Sequence, residues 1–338
     1  MSGGVDSSVA AALLLEAGHE LIGVTFRPWH SGDTAASSAP DRAAQVAGFL
    51  GIRHEVLDLR DPFLESVVEP FAAEYARGRT PSPCVLCNAL IKFGRLSAYA
   101  AELGACRLAT GHYARIHGGG NDRPRLLRGT DPLKDQSYFL CTLTPDQLSR
   151  SLLPLGEWTK DAVREYAVSH RLPVRAAESR ELCFVRDGGH AELVSQRHPE
   201  VQRPGDLVDE GGRLLGRHEG IHRYTIGQRR GLPVAVGHPL YVAAIDAPGN
   251  RVIVGPRPAL MRERFDVRDI RWMRAPVEQA FEARVQVRYN HPAAPARVLP
   301  DGPRGATVVF ATPQFAVAPG QAAAFYDGDE VLGGGWIA

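Results

Sequence analysis

Residues able to do chemistry fall into two groups near the start of this chain and one further on. The first is Ser2-Gly3-Gly4-Val5-Asp6-Ser7-Ser8, which runs into an apolar, alanine-rich stretch. Glycines let backbone approach a phosphate with no Cβ in the way. Serine hydroxyls and the open N–H groups at a helix start aim donors at the same anion. Asp6 adds a carboxylate suited to Mg²⁺ between phosphates. No Gly-Lys-Ser/Thr follows, so this is not the Walker A pattern. A plain Gly-Ser turn with a helix N-cap is the simpler alternative. The second group is Thr80-Pro81-Ser82-Pro83-Cys84-Val85-Leu86-Cys87-Asn88, a Cys-x-x-Cys on a proline-rich loop, and the third is Glu181-Leu182-Cys183-Phe184. Cysteines near a helix start carry more thiolate. One Cys-x-x-Cys suggests redox or metal chemistry, but there is no second pair to close a zinc site. Incidental pairing stays open on these residues alone. Cys106 and Cys141 lie in apolar contexts and read as buried, inert thiols.

The elements that must position these residues alternate in type over the first half. Apolar spacing predicts helices over 5–16, 41–50, 63–77 and 89–103, with strands over 19–26, 55–59 and 107–110, and a small-residue loop at 31–38. Such alternation implies an α/β fold with a doubly wound parallel sheet, whose ligands sit beyond the carboxyl ends of the strands. From about 144 to 204 the pattern is mostly helical, with 160–170 the clearest case, and Pro204-Gly205 reads as a turn and linker. Beyond it short alternating runs at 240–245, 251–254, 281–289 and 307–310 are separated by Gly, Pro and Asn, as in a β-barrel. Three segments are therefore expected: a catalytic domain over 1–145, a small, mainly helical central domain over 146–205 and a C-terminal β-barrel over 206–338.

Composition narrows the class. The 338 residues suffice for two or three domains, and 44% hydrophobic with 23% charged residues is ordinary for a globular enzyme. A net charge of +1 gives no global basic field, so a nucleic-acid partner must be held by local patches. No stretch has the apolar length of a membrane span or the make-up of a signal peptide, and five cysteines do not make a secreted disulfide framework. A cytoplasmic location is expected, without membrane contact.

The first loop resembles the pyrophosphate-binding loop of the N-type ATP pyrophosphatases, with seven positions matching in order. In that class a buried strand runs directly into the loop. Here the chain starts at Met1, so that strand is expected to be missing. Only three lysines (Lys92, Lys134, Lys160) stand against abundant arginine, which suggests a GC-rich gene in which an earlier start is easily overlooked. Further segments occur in family order: Gly78-Arg79-Thr80-Pro81-Ser82-Pro83, Cys87-Asn88, Ile91-Lys92-Phe93, Ala109-Thr110-Gly111-His112-Tyr113, Lys134-Asp135-Gln136-Ser137-Tyr138-Phe139-Leu140, Leu182-Cys183-Phe184, Thr225 to Leu232, Val287-Arg288-Tyr289 and Pro319-Gly320-Gln321. Together they resemble the bacterial tRNA-specific 2-thiouridylases over nearly the whole chain.

The resemblance implies an adenine nucleotide alpha hydrolase-like domain and ATP-dependent 2-thiolation of the wobble uridine in tRNAs for lysine, glutamate and glutamine. ATP adenylates the 2-carbonyl oxygen and sulfur displaces AMP. By position, Cys183 matches the persulfide carrier and Cys87 the nucleophile that closes a disulfide with it. Cys84 stands where the family more often has an aspartate assigned acid/base work. Cys84, Cys87 and Cys183 as ligands of an iron–sulfur cluster are an equal alternative to the persulfide route. Ser2, Gly3, Gly4, Val5, Asp6, Ser7, Ser8, Phe26 and Gly111 match ATP-contacting positions. Ser82, Pro83, Cys84, His112, Lys134, Asp135, Gln136, Arg288, Tyr289 and Gln321 match tRNA-contacting ones. Arg229 and Arg230 add charge suited to RNA phosphates. Expected cofactors are ATP and Mg²⁺, and expected partners are a tRNA anticodon stem-loop and a sulfur-donor protein such as a cysteine desulfurase or relay protein. The wobble base must be splayed out to be reached, and the Cys183 loop, led in by Arg180-Glu181, is expected to order around it. Two rival readings are another adenylating ligase of the same ATP class, and a tRNA-binding protein whose ATPase half is crippled by the missing strand.

Overall fold

The computed structural model describes residues 1–30, 39–118, 122–174, 182–185, 189–234, 236–274 and 278–338. The loop expected at 31–38 and the Arg180-Glu181 lead-in lie outside the described residues. Two compact units divide the chain. One comprises Met1–Ser66, Val85–Phe184 and Asp329–Val331, the other Val67–Cys84, Val185–Gly328 and Leu332–Ala338.

In the first unit the helix Val5–Glu16 follows the glycine loop directly. Ser8, Val9, Ala10, Ala11, Ala12 and Leu14 are all buried, which explains the small side chains on nearly every face. The strands Ile22–Arg27 and Arg53–Asp58 pair in parallel around the helix Ala39–Leu50. A second parallel pair, Leu108–Ala109 with Ser151–Leu152, stands apart from them. The α/β class expected from the alternation holds, its parallel strands forming two short ladders among the described residues with no strand joining them. The helix Lys160–Ser169, expected in a separate central segment, packs here instead. Its Val163 and Ala167 share a core with Val9, Ala10, Ala12 and Tyr113.

The helix expected over 89–103 starts earlier and differs in kind. Cys87–Arg95 is π-helical and passes into an α-helix at Leu96–Glu102. Widened turns of this sort leave carbonyls misaligned and concentrate at functional sites. Gln147 satisfies two of them, its Nε2 donating to Ala89 O at 2.8 Å and to Phe93 O at 3.1 Å. Gln147 is itself fixed by a capping box with Thr144 at the start of Pro145–Ser149.

In the second unit the helices Glu69–Ala76 and Gly189–Arg197 meet through stacked Tyr75 and His190, 4.4 Å between centroids, and an Arg197–Glu69 ion pair at 3.1 Å. The β-rich region, expected as one barrel, holds two sheets. The strands Leu214–His218, Gly205–Val208, Arg251–Gly255 and Tyr241–Asp246 form the first, in that order. The turn at Ala247 to Asn250 closes its hairpin as expected, with Asn250 at φ 49° and Gly249 N–H donating to Asp246 Oδ1 at 3.0 Å. The second is a closed six-stranded barrel, in the order Met261–Trp272, Gly305–Phe315, Ala294–Asp301, Phe281–Gln286, Ala322–Asp327 and Glu330–Ile337, the last pairing back with the first. Alternating inward residues such as Val285, Val298, Val308 and Phe310 fill it. Alternation marks the strands, but closure into one body or two depends on pairings the pattern does not contain.

Candidate nucleotide and sulfur-transfer site

The glycine loop is built for close approach. Gly3 has φ +69°, and a Cβ there would lie 2.5 Å from Arg42 Cβ. Gly4 occupies the N-cap with no side-chain cap hydrogen bond. The open N–H groups of the first turn are thus not satisfied by a capping side chain. Ser8 Oγ donates to Gly4 O at 2.8 Å, and Ser2 and Ser7 hydroxyls lie 3.1 Å apart. Gly111 packs against the loop, where a Cβ would sit 2.8 Å from the Asp6 carbonyl carbon and 2.9 Å from Ser7 N.

Beside the loop is a cavity of about 380 Å³. Ser2, Asp6, Ser7, Lys92, His112 and Gln136 line its polar part, and Phe26 and Gly111 also face it. Ala10, Leu14, Ile22, Leu96 and Leu103 supply an apolar wall. Strand residues from both ladders, Ile22 to Val24 with Leu108 and Ala109, flank it. It therefore occupies the gap between the two parallel pairs. The donor-rich loop at the polar end of this cavity suits a phosphate-bearing ligand.

Asp6 and His112 differ from their sequence-based roles. Asp6 Oδ1 accepts from Tyr113 OH at 2.7 Å and from Lys160 Nζ at 2.6 Å. An oxygen taken by two donors does not fit a magnesium ligand, so the expected Mg²⁺ contact is not supported at that atom. His112, expected to touch tRNA, is buried in the cavity wall, its Nδ1 2.7 Å from Thr110 Oγ1. Burial, with Lys92 nearby, holds its pKa well below the usual imidazole value, so it is neutral at pH 7.

Cys87 is buried at the first position of the π-helical stretch, and Cys183 is exposed. Phe184 packs edge-on against Phe63 at 5.6 Å between centroids. Phe63 closes the helical turn Arg60–Phe63, which packs on Cys87–Arg95. The Cys183 segment is thus anchored through its neighbour to the element that borders the Cys87 helix. Cys84 is exposed. Among the described residues no three His, Cys, Asp or Glu side chains are grouped to hold a metal. Cys141 is buried and its thiol is pushed up to about 12 by that burial, as an inert cysteine should be. Cys106, read as buried, is exposed. It follows the turn at Gly104 that ends Leu96–Glu102, so its apolar neighbours in sequence do not cover it.

The remaining expected RNA contacts are mostly braced from within. Asp135 accepts from Arg128 at 2.7 Å, Gly129 N at 2.9 Å and Ser137 N at 3.0 Å, which makes it the organiser of its loop. Gln136 Oε1 accepts from Tyr113 N at 3.1 Å, and Lys134 is half-buried. In the second unit, Gln321 Nε2 donates to Thr80 O at 3.0 Å and Pro81 O at 2.9 Å, fixing the segment that carries buried Ser82 and Pro83. Arg288 Nη2 donates to Ile226 O at 2.6 Å, and Tyr289 O accepts from Gln286. Arg229 and Arg230 are exposed on the same loop as Ile226.

Three family matches tile the chain: a tRNA methyl transferase HUP domain over residues 1–187, a tRNA methyl transferase PRC-barrel domain over 194–256 and an aminomethyltransferase beta-barrel domain over 262–337. The tRNA-specific 2-thiouridylase MnmA of Geobacter metallireducens is 47% identical over 352 residues, covering 100% of this chain and 95% of the relative. This chain belongs to the tRNA-specific 2-thiouridylase family. The 2-thiouridylase of Chloroflexus aggregans is 48% identical, with 100% and 97% covered. Among solved structures, a U34-tRNA thiolase NcsA from Methanococcus maripaludis with its 4Fe-4S cluster is a looser likeness, at TM-score 0.36 and 19% identity over 59% of this chain and 65% of that one. Pattern reading of this 2-thiouridylase missed Tyr113 and Lys160 at the loop. Lys160 opens a recognisable helix, but nothing in the sequence signals that the helix lies beside Asp6.

Proposed function

We propose that this chain is an ATP-dependent tRNA-uridine 2-sulfurtransferase acting on the wobble uridine of tRNAs for lysine, glutamate and glutamine, in the cytoplasm. The observation that carries the reading is the cavity shared by Ser2, Asp6, Ser7 and Gly111, on a chain of the 2-thiouridylase family. ATP phosphates would rest on the loop N–H groups and the base against Phe26. Uridine O2 attacks the α-phosphorus, a new O–P bond forms, and the bond to the β-phosphate breaks with loss of pyrophosphate. The terminal sulfur of a persulfide on Cys183 then attacks C2, and the C–O bond breaks with departure of AMP. Cys87 thiolate attacks Cys183 Sγ. The S–S bond breaks onto the base, leaving the 2-thio group and a Cys87–Cys183 disulfide, which a thiol reductant resets with two electrons. A sulfur-donor protein reloads Cys183, whose exposure suits such an encounter. Buried Cys87 requires a shift of its surroundings to be reached.

Mass spectrometry of nucleosides tests this. Unmodified glutamate tRNA is incubated with the protein, magnesium ATP and a persulfide donor. We expect 2-thiouridine that disappears without ATP. Absence of product with intact tRNA binding would overturn the reading. The rival reading is a tRNA-binding protein with an inactive ATPase half. ATP-dependent pyrophosphate release excludes that rival.

A further inference from the structure

We propose that Lys160 is a positioning residue of the nucleotide site, acting through Asp6 to hold the phosphate loop and to cancel the carboxylate charge that would otherwise face the polyphosphate. The inference rests on the ATP reading above. Lys160 is 6% exposed, and its Nζ lies 2.6 Å from Asp6 Oδ1. The Tyr113 hydroxyl donates to the same oxygen at 2.7 Å, and the ammonium sits 5.7 Å from the Tyr113 ring centroid. Taking an ammonium and a carboxylate out of water is costly, and an apolar pair of the same shape often serves stability as well or better. Here the Lys160 side chain is 8% exposed and that of Asp6 37%, so the cost falls on the ammonium, and a buried lysine held at an anion-binding loop calls for a reason other than stability.

Its surroundings lock the ammonium in place. Lys160 N–H donates to Asp131 Oδ2 at 2.9 Å, and Thr159 caps the helix by accepting from Ala162 N at 3.2 Å. At the other end Tyr166 OH donates to Glu16 Oε1 at 2.6 Å. Lys160–Ser169 is thus tied to Val5–Glu16 start to start and end to end. The two helices run in the same direction, and both positive dipole ends lie at the loop. A carboxylate in the first turn stabilises a helix, but it repels a phosphate bound at the same turn. Lys160 and Tyr113 occupy Asp6 Oδ1 and remove that conflict, while Gly111 packs directly on the backbone of Asp6.

The test is equilibrium binding of magnesium ATP, with thiolation kinetics alongside, on wild type, Lys160→Met, Lys160→Arg and Lys160→Met/Asp6→Asn. We expect Lys160→Met to weaken ATP binding by ~10-fold or more, the scale of one lost charge-assisted contact. KM for ATP should rise, with tRNA affinity and the far-ultraviolet dichroism spectrum unchanged. Lys160→Arg should retain most of the affinity. The double variant should bind ATP better than Lys160→Met alone, because the unpaired carboxylate is gone. A merely structural lysine would not give that rescue. Wild-type affinity in a folded Lys160→Met, or additive losses in the double variant, would overturn the proposal while leaving the ATP reading intact. Failure of wild type itself to bind ATP would overturn both.

Discussion

The cysteines divide into exposed and buried ones, and their chemistry follows. Cys183 is exposed beside an anchored phenylalanine, Cys87 is buried within a helical run that begins at Pro83, and Cys141 is fully buried with its thiol held protonated. We expect Cys87→Ser and Cys183→Ser each to reduce 2-thiouridine formation to background while pyrophosphate release remains measurable, because adenylation needs no thiol. Cys106→Ser should leave both activities unchanged, since this exposed thiol lies on a turn after its helix. Loss of thiolation in Cys106→Ser, or full activity in either of the other two, would remove the sulfur-transfer assignment. The family resemblance singled out Cys87 and Cys183, but burial separated Cys106 from Cys141, and burial is a property of the folded chain.

The elements around the cavity depend on a few exact contacts. Gly111→Ala would drive a Cβ to 2.8 Å from the Asp6 backbone, a rigid neighbour with no side chain to swing aside. We expect loss of ATP binding, read by calorimetry, with overall fold retained. The π-helical stretch that carries Cys87 and Lys92 leans on Gln147, which donates to Ala89 O and Phe93 O. Gln147→Ala leaves both carbonyls without that donor and breaks the capping box. A loss of about 1–3 kcal/mol in unfolding free energy is expected from denaturant titration. An unchanged midpoint would show that the widened turn is satisfied by other means. A helix over 89–103 was legible from apolar spacing. Its π geometry was not, because it rests on partners some sixty positions away, among them Gln147.

At the scale of the molecule, RNA affinity and pH tolerance have separate origins. The net charge of +1 leaves RNA attraction to local groups, and Arg229 and Arg230 are exposed. Alanine at both should weaken binding of tRNA irrespective of sequence and flatten the dependence of log affinity on log salt by about one unit per lost phosphate contact. An unchanged slope would place RNA elsewhere. Stability has a histidine component in the second unit. His222 is buried, its Nε2 2.9 Å from Ser195 Oγ, and burial, with Arg223 next, pushes its pKa from 6.5 down to about 4. The unfolded chain takes up a proton as pH falls through 6.5, and the folded one resists until about 4. Stability is therefore full above the unfolded value and is lost over that interval on acidification. Melting temperatures measured across it should fall for wild type and vary less in His222→Gln. Equal slopes would assign the acid sensitivity to other groups.

The sequence by itself determined the chemistry on offer and most of the local structure. Residue types in the glycine loop and around the cysteines set the chemistry, an apolar, alanine-rich run makes the helix Val5–Glu16, and local periodicity makes Lys160–Ser169. These are short-range properties, carried by residue type and neighbour spacing. Only the tertiary structure decided that the parallel strands form two ladders flanking a cavity, that the β-rich half closes as two sheets, and that Lys160 meets Asp6 across 154 positions. Pairing between distant segments is settled by the packing of the whole core, where many registers share the same local pattern and differ only in what they bury.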